Sequence, residues 1–486
     1  SPVGTFDVDY DIMYRWNPNE ISIQGNKLML RAVGEVWLNE VAFKDGEGRL
    51  IIPSSVSKLE GGASINDARS EFSHVFDEQN YVPERPTAQN GMYFDELYHG
   101  RTAYEHLNGL APYENSHPPL GKIFIMLGIS LFGMNPFGWR FAGALFGVLM
   151  LPALYLLALE ITKKTKYAFF ATFLFAVDFM HFVQTRIATI DTYAVFFILL
   201  MYYFMYRYCE MNFFREKFSR TLLPLGLSGL CFGLGAASKW TGIYAGGGLA
   251  VIFFVTLYKR WREYDAARKA LARGEEGART VVEQTRNFTK YTLWTLLFCV
   301  GAFILVPVAI YLLSYLPYFF CRDKPYDMQG VWGVQEFMFN YHSTLQSTHP
   351  YESKWFTWLL NIRPIWYYMG TGLPEGTTAS IAAFGNPVVW LGGLAGLLSL
   401  LFGRIAGFFR KDHSAAFLLI AFGAQFLPWV LISRATFIYH YFPSVPFIIL
   451  ALTYMIQKLE ARYTGWRWLK WGIMGAALVL FALYYP

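Results

Sequence analysis

From residue 138 onward the chain alternates long apolar runs with short charged segments. Ten runs read as membrane-crossing helices: 138–161, 166–180, 190–208, 222–238, 241–258, 291–317, 386–403, 415–433, 441–457 and 469–485. A bilayer core asks for roughly 20 apolar residues per helix, and the Gly and Pro inside several runs are tolerated there. The run at 119–133 is shorter and predicts an interfacial helix. Upstream of residue 93 the pattern changes. The stretch "ISIQGNKLMLRAVGEVWLNEVAFKDGEGRLI" alternates in short pieces around "KDGEG", which predicts a few β-strands and a hairpin turn. Residues 1–92 thus read as a β-containing segment, the end of a carbohydrate-binding sandwich.

The charged segments orient the spans. The loops "TKKTKY", "YRYCEMNFFREKFSR", 258–290, "GRIAGFFRK" and 458–470 hold 23 Lys and Arg, against Arg186, Lys239 and Arg434 in the alternate short loops. Lys and Arg collect on the cytoplasmic side, so the first set is cytoplasmic and segment 262–286 predicts a solvated helix pair there. Ten spans put both ends on the outer side, which leads to the expectation of an additional first span, eleven in all. The second large outer loop is 318–385.

Composition changes the picture in one respect. Charged residues are 16% and aromatics 19%, where a soluble domain carries about a quarter charged. The net charge of +6 is explained by topology, so nucleic acid is not an expected partner. Cys209, Cys231, Cys299 and Cys321 are too widely spaced for a CxxC site or a disulfide framework.

With this orientation the unusual polar residues share one face. Asp95, Glu96 and His117 precede the first span. Arg186 and Asp191 lie at outer span ends, Lys239 caps another span, His342, His349 and Arg363 occupy the long outer loop, and Arg434, His440 and Tyr441 fall in or beside a late outer turn. Ionisable groups near membrane depth are costly and mark functional sites. Cations such as Arg186, Lys239 and Arg434 suit a phosphate, and a carboxylate suits a general base. Together they describe transfer from a lipid phosphate to a hydroxyl. Each residue also has a structural reading: a surface turn for Asp95 and Glu96, helix caps for His117 and Asp191, snorkelling for Arg186 and Lys239, a loop hydrogen bond for His349, an aromatic-belt position for His440. Their common side favours the site.

The ordered motifs "FDELYHG", "HPPLGK", "QTRIATIDTY", "SKWTG", "NYHSTLQSTHPYESKWFTWLLNIRPIWYY", "FGNPVVW" and "RATFIYHYFP" resemble the protein O-mannosyltransferases, glycosyltransferase family 39 of the GT-C class, from about residue 93 to the end. The resemblance implies a mainly α, polytopic membrane fold with an outward-facing pocket. It implies Asp95 as the base toward a Ser or Thr hydroxyl, with Glu96 orienting the site. It implies Lys239 and Arg434 near the donor phosphate, Arg186 supporting that phosphate or the catalytic carboxylate, and Arg434 and His440 as the late Arg…His-Tyr motif. The loop 318–385 is too short for the β-trefoil domain of eukaryotic members, so the chain resembles the bacterial branch. The expected reaction is an inverting single displacement of mannose from a polyprenyl phosphate to secreted or membrane proteins, at the outer face of the cell membrane. No cofactor is expected, and metal independence is predicted. The alternatives are a GT-C enzyme with another lipid-phosphate donor or a lipid or glycan acceptor, oligosaccharyl transfer, whose Trp-Trp-Asp-Tyr-Gly motif is absent from the chain, and a transporter, which predicts internal repeats that the chain lacks.

Overall fold

A computed structural model describes residues 4, 15–31, 38, 40–57, 75–322, 325–345, 348–370, 373–410 and 412–485. The chain forms two units, one of residues 1–97 with 368–380, the other of residues 98–367 with 381–486.

In the first unit the predicted hairpin is present but small. β1 (Phe43–Lys44) pairs antiparallel with β2 (Leu50–Ile51), Phe43 opposite Ile51. The turn between them is tied by Asp45, whose carboxylate accepts from the backbone N–H groups of Glu47 at 2.9 Å and Arg49 at 2.8 Å. Residues 15–31 form no strand, and residues 32–37 and 39 of the expected strand region lie outside the described residues.

The second unit is helical. Helix α1 (Glu96–Asn108) leads into it, followed by the short apolar α2 (Leu120–Phe132), a helix where the sequence predicts one too short to span. The other helices are α3 (Pro136–Thr162), α4 (Thr165–Ala176), α5 (Phe179–Gln184), α6 (Asp191–Glu210), α7 (Phe218–Ser238), α8 (Thr241–Ala272), α9 (Ala278–Thr285), α10 (Phe288–Val300) and α11 (Val306–Ser314). Next come α12 (Leu316–Phe319), α13 (Met328–Thr344), α14 (Trp355–Trp358), α15 (Pro387–Ile405), α16 (His413–Phe426), α17 (Val445–Arg462) and α18 (Arg467–Tyr484). Strands β3 (Ile365–Met369) and β4 (Ser380–Ala383) form a second hairpin.

All ten predicted spans are helical, and eight of the described helical stretches are long and apolar enough to cross a membrane. The chain is a multi-pass membrane protein. The two that fall short do so for different reasons. The run at 166–180 breaks at Asp178, whose side chain caps α5 by accepting from Met180 N–H at 3.1 Å. Helix α6 is long enough but polar. Fourteen of its 20 residues are buried, so it faces protein rather than lipid, and its tyrosines find internal partners. Tyr202 donates to the Ala245 carbonyl at 3.1 Å, and the Tyr206 and Ser414 hydroxyls lie 2.8 Å apart. A membrane helix wrapped by others can afford such groups because they are satisfied.

The predicted pair at 262–286 is the distal end of α8 with α9, and a π-helical turn at Gly301–Leu305 joins α10 to α11. The loop 318–385 contains elements that the apolar pattern did not announce, among them α14, the β3–β4 hairpin and α13, which buries Val331, Val334 and Met338.

Candidate active site

The turn between α7 and α8 carries Lys239. The residue leaves helical geometry (φ −159°, ψ 140°) and α8 begins two residues later. Gly242 makes this turn possible, since a Cβ there would stand 2.6 Å from the Gly235 carbonyl carbon. Lys239 Nζ donates to both carboxylate oxygens of Asp191, at 2.8 and 2.9 Å. Asp191 is therefore a counter-ion rather than a cap: the N-cap of α6 is Ile190, and no side chain caps that helix.

A second pair stands between α1 and α2. Lys122, in the first turn of α2, is fully buried. The start of this helix lies close against the start of α6, because a Cβ on Gly121 would stand 2.7 Å from Ile190 Cγ2. Lys122 Nζ donates to Glu114 Oε2 at 2.6 Å, to the Glu114 carbonyl at 2.7 Å and to the His117 carbonyl at 3.0 Å. An ammonium has three donors, and all three are used. Glu114 Oε1 accepts from Ser116 N–H at 2.7 Å and from the Ser116 hydroxyl, and lies 3.1 Å from His117 Nδ1. Neither Glu114 nor Lys122 was singled out from the sequence. The signal was there in Lys122, a cation inside the apolar run "LGKIFIMLG", which demands a partner.

Around these pairs gather imidazoles. The rings of His99 and His117 are 5.8 Å apart, and those of His117 and His342 are 5.2 Å apart. His342 Nε2 donates to the Ser116 carbonyl at 2.8 Å. His440 is buried against Trp429 and Tyr439, each 4.5 Å away by ring centroids, and its Nδ1 accepts from Phe437 N–H at 3.0 Å. Lys239 lies over the Tyr439 ring at 5.7 Å and within electrostatic reach of all four histidines. Arg434 reaches His342 and His440 in the same way.

The electrostatics follow from burial. Burial pushes His99 well below the ordinary imidazole range, lowers His117 and takes His342 down to about 4. Burial alone would raise the Glu114 carboxyl, but Lys122 and His117 hold it well below the carboxylate range. The cluster is therefore two neutralised ion pairs surrounded by uncharged imidazoles. Arg434 is half-buried and has no ion pair among the described residues, so it supplies the net positive charge.

The remaining predicted residues are not among the contacts described above. Arg186 is exposed, with its guanidinium 3.6 Å from the centroid of the Phe182 ring. His349 is exposed in its loop and accepts from Tyr351 N–H at 3.1 Å. Tyr441 is buried core, its ring 4.9 Å from that of Trp390 and 5.7 Å from that of Phe426. Asp95 and Glu96 belong to the first unit, where Asp95 is partly exposed immediately before α1. Glu96 is buried and accepts from Tyr93 N–H at 3.3 Å. Between them and Tyr93 stands Phe94 at φ +53°, a left-handed conformation that costs a non-glycine residue on the order of 1–3 kcal/mol.

Comparison with known proteins gives this arrangement its family. Residues 132–320 match the family described as dolichyl-phosphate-mannose-protein mannosyltransferase. Residues 327–486 match the C-terminal four-transmembrane region of protein-O-mannosyltransferase. The chain belongs to the protein O-mannosyltransferase family.

Its relatives include proteins named polyprenol-phosphate-mannose–protein mannosyltransferase. The one from Mycolicibacterium smegmatis is 26% identical, covering 77% of this chain and 78% of the relative. The one from Mycobacterium tuberculosis is also 26% identical, covering 85% and 80%. Among solved structures, the Saccharomyces cerevisiae Pmt1-Pmt2 complex bound to the sugar donor aligns with a TM-score of 0.66 at 13% identity, over 82% of this chain and 86% of that one. ArnT from Cupriavidus metallidurans bound to undecaprenyl phosphate aligns with a TM-score of 0.51 at 15% identity, over 80% and 60%. At these identities the structures speak for the fold. As a member of the family this protein O-mannosyltransferase is a multi-pass membrane glycosyltransferase.

Proposed function

We propose that this protein transfers mannose from a polyprenyl-phosphate mannose donor to Ser or Thr hydroxyls of secreted or membrane proteins. The observation that carries the reading is the set of relatives of that name, matched over most of both chains. The buried cluster of Lys239, Asp191, Lys122, Glu114 and four histidines agrees with it, because buried ionisable groups in a membrane protein are costly and mark functional sites.

The reaction is an inverting single displacement at the outer face of the cell membrane. Asp95 takes the proton of the acceptor hydroxyl as its oxygen attacks the anomeric carbon, the bond from that carbon to the phosphate oxygen breaks, and the polyprenyl phosphate leaves. Arg434 is the cation that stabilises the departing phosphate, joined by Arg186. Lys239 contributes through its dipole with Asp191, since its charge is already matched. No step of this reaction requires a metal ion.

Incubation of the purified protein with labelled polyprenyl-phosphate mannose and a Ser/Thr peptide tests the reading. Label is expected in the peptide as α-linked mannose. Transfer from a different lipid-phosphate sugar, with none from mannose, overturns it.

A further inference from the structure

The contacts around Glu114 exceed what a structural ion pair needs. A lysine buried at the start of α2 asks only for acceptors, and Lys122 already has two backbone carbonyls beside the carboxylate. The second carboxylate oxygen is turned the other way, to Ser116 and to His117 Nδ1. His117 in turn keeps part of its ring open: its side chain is 22% exposed, against 9% for Glu114 and none for Lys122. We propose that Glu114 is a positioning residue for the transfer reaction: anchored by Lys122, its carboxylate holds His117 through Nδ1 and thereby fixes Nε2 as the nitrogen offered to substrate. The inference rests on the function proposed above and adds to it the residue that sets the tautomer of an imidazole at the site.

The chemistry is that of a carboxylate orienting a histidine. An ionised carboxylate only accepts, and the Ser116 hydroxyl, 3.0 Å from Nδ1, donates to Glu114 Oε1, so the proton of a neutral His117 ring resides on Nδ1. The Nε2 lone pair then faces outward as an acceptor. Burial and the surrounding cations keep the ring neutral. The groups that face it are Glu114 from its own loop, His99 from α1, Lys122 from α2, Lys239 from the end of α7, His342 from α13, and His440. Among them Glu114 alone favours the imidazolium. An amide at position 114 would both remove that anion and offer an N–H to Nδ1, moving the ring proton to Nε2. The residue that presents the acceptor is thus separable from the residue that anchors it.

Two variants of the full chain test this: Glu114→Gln, and Glu114→Gln combined with Lys122→Met. The double variant removes both buried charges, so the lysine is not stranded. Mannosyl transfer to a Ser/Thr peptide is measured across pH, with thermal unfolding alongside. Expected in both variants is a fall in kcat/KM of about 10–100-fold, the factor that one charge-assisted hydrogen bond is worth. The acid limb of the profile is expected to move to lower pH, because the anion that favours protonated His117 is gone, and to move less in the double variant, where the loss of Lys122 also removes a cation that opposes protonation. A double variant with wild-type kcat/KM takes the pair out of the reaction and overturns the proposal, as does an unmoved acid limb in Glu114→Gln. Wild-type transfer with Glu114→Gln equally active overturns this inference alone. A wild-type protein inactive with this donor overturns the proposed function and this inference with it.

Discussion

Lys239 Nζ lies 2.8 and 2.9 Å from the two carboxylate oxygens of Asp191, joining the turn after α7 to the first residue of α6. Both groups are buried. Removing one partner of such a pair strands the other and costs about 3–5 kcal/mol, whereas removing both costs less. Asp191→Asn is therefore expected to lower the unfolding temperature in detergent. Lys239→Met is expected to do the same, and the double variant to lose less than the sum of the two, which a double-mutant cycle measures.

Asp95 is assigned the acceptor's proton, so Asp95→Asn should remove transfer, by about 10²–10⁴-fold, while leaving the fold and donor binding intact. Transfer assays paired with binding of the labelled donor separate the two. Full activity in this variant would take Asp95 out of the mechanism.

Arg434 and Arg186, which form no ion pair among the described residues, make a graded expectation. Arg434 lies within reach of the histidine cluster, and Arg186 lies exposed over Phe182. Arg434→Ala should lower kcat with the larger effect, because a cation at the leaving phosphate acts on the transition state. Arg186→Ala should chiefly raise the KM for donor. Unchanged donor kinetics in the second variant would leave Arg186 as a headgroup contact.

Activity is expected to survive excess chelator, since the proposed mechanism assigns the donor phosphate to cations of the chain. Complete loss, restored by Mg²⁺ or Mn²⁺, would refute metal independence.

His106 gives a pH prediction. It is buried on α1, 5.2 Å from the Tyr318 ring, and neither ring nitrogen has a hydrogen-bond partner among the described residues. Burial takes it from the ordinary 6.5 down to about 3. The unfolded chain therefore binds the proton more readily, and stability is fully present above about 6.5 and lost as pH falls toward 3. Unfolding temperatures at pH 7.5 and pH 5 should differ less in His106→Phe than in wild type. An equal difference would show that His106 does not report burial.

Much of this was legible because membrane helices write themselves in long apolar runs. The spans, the short apolar helix at 120–132 and the helix pair around residue 275 all follow from run length and the placement of Lys and Arg. Helix α13 was hidden because its buried positions, Val331, Val334 and Met338, are spaced among aromatic residues that read as loop. The candidate residues Lys239 and Asp191 were seen singly. Their pairing was not, since 48 residues separate them and only the packing of α6 and α7 closes that distance. Glu114 was missed for the opposite reason: it is local, eight residues before Lys122, but its significance appears only when the turn through "SHPP" folds the lysine back onto it.

The left-handed backbone at Phe94 has a consequence for which chains can carry the carboxylates that follow it. β-branched side chains are excluded from that conformation, while asparagine enters it readily. Position 94 thus selects by chirality of the main chain before it selects by oiliness, and asparagine should replace the phenylalanine better than isoleucine does, the reverse of the order at an ordinary apolar position.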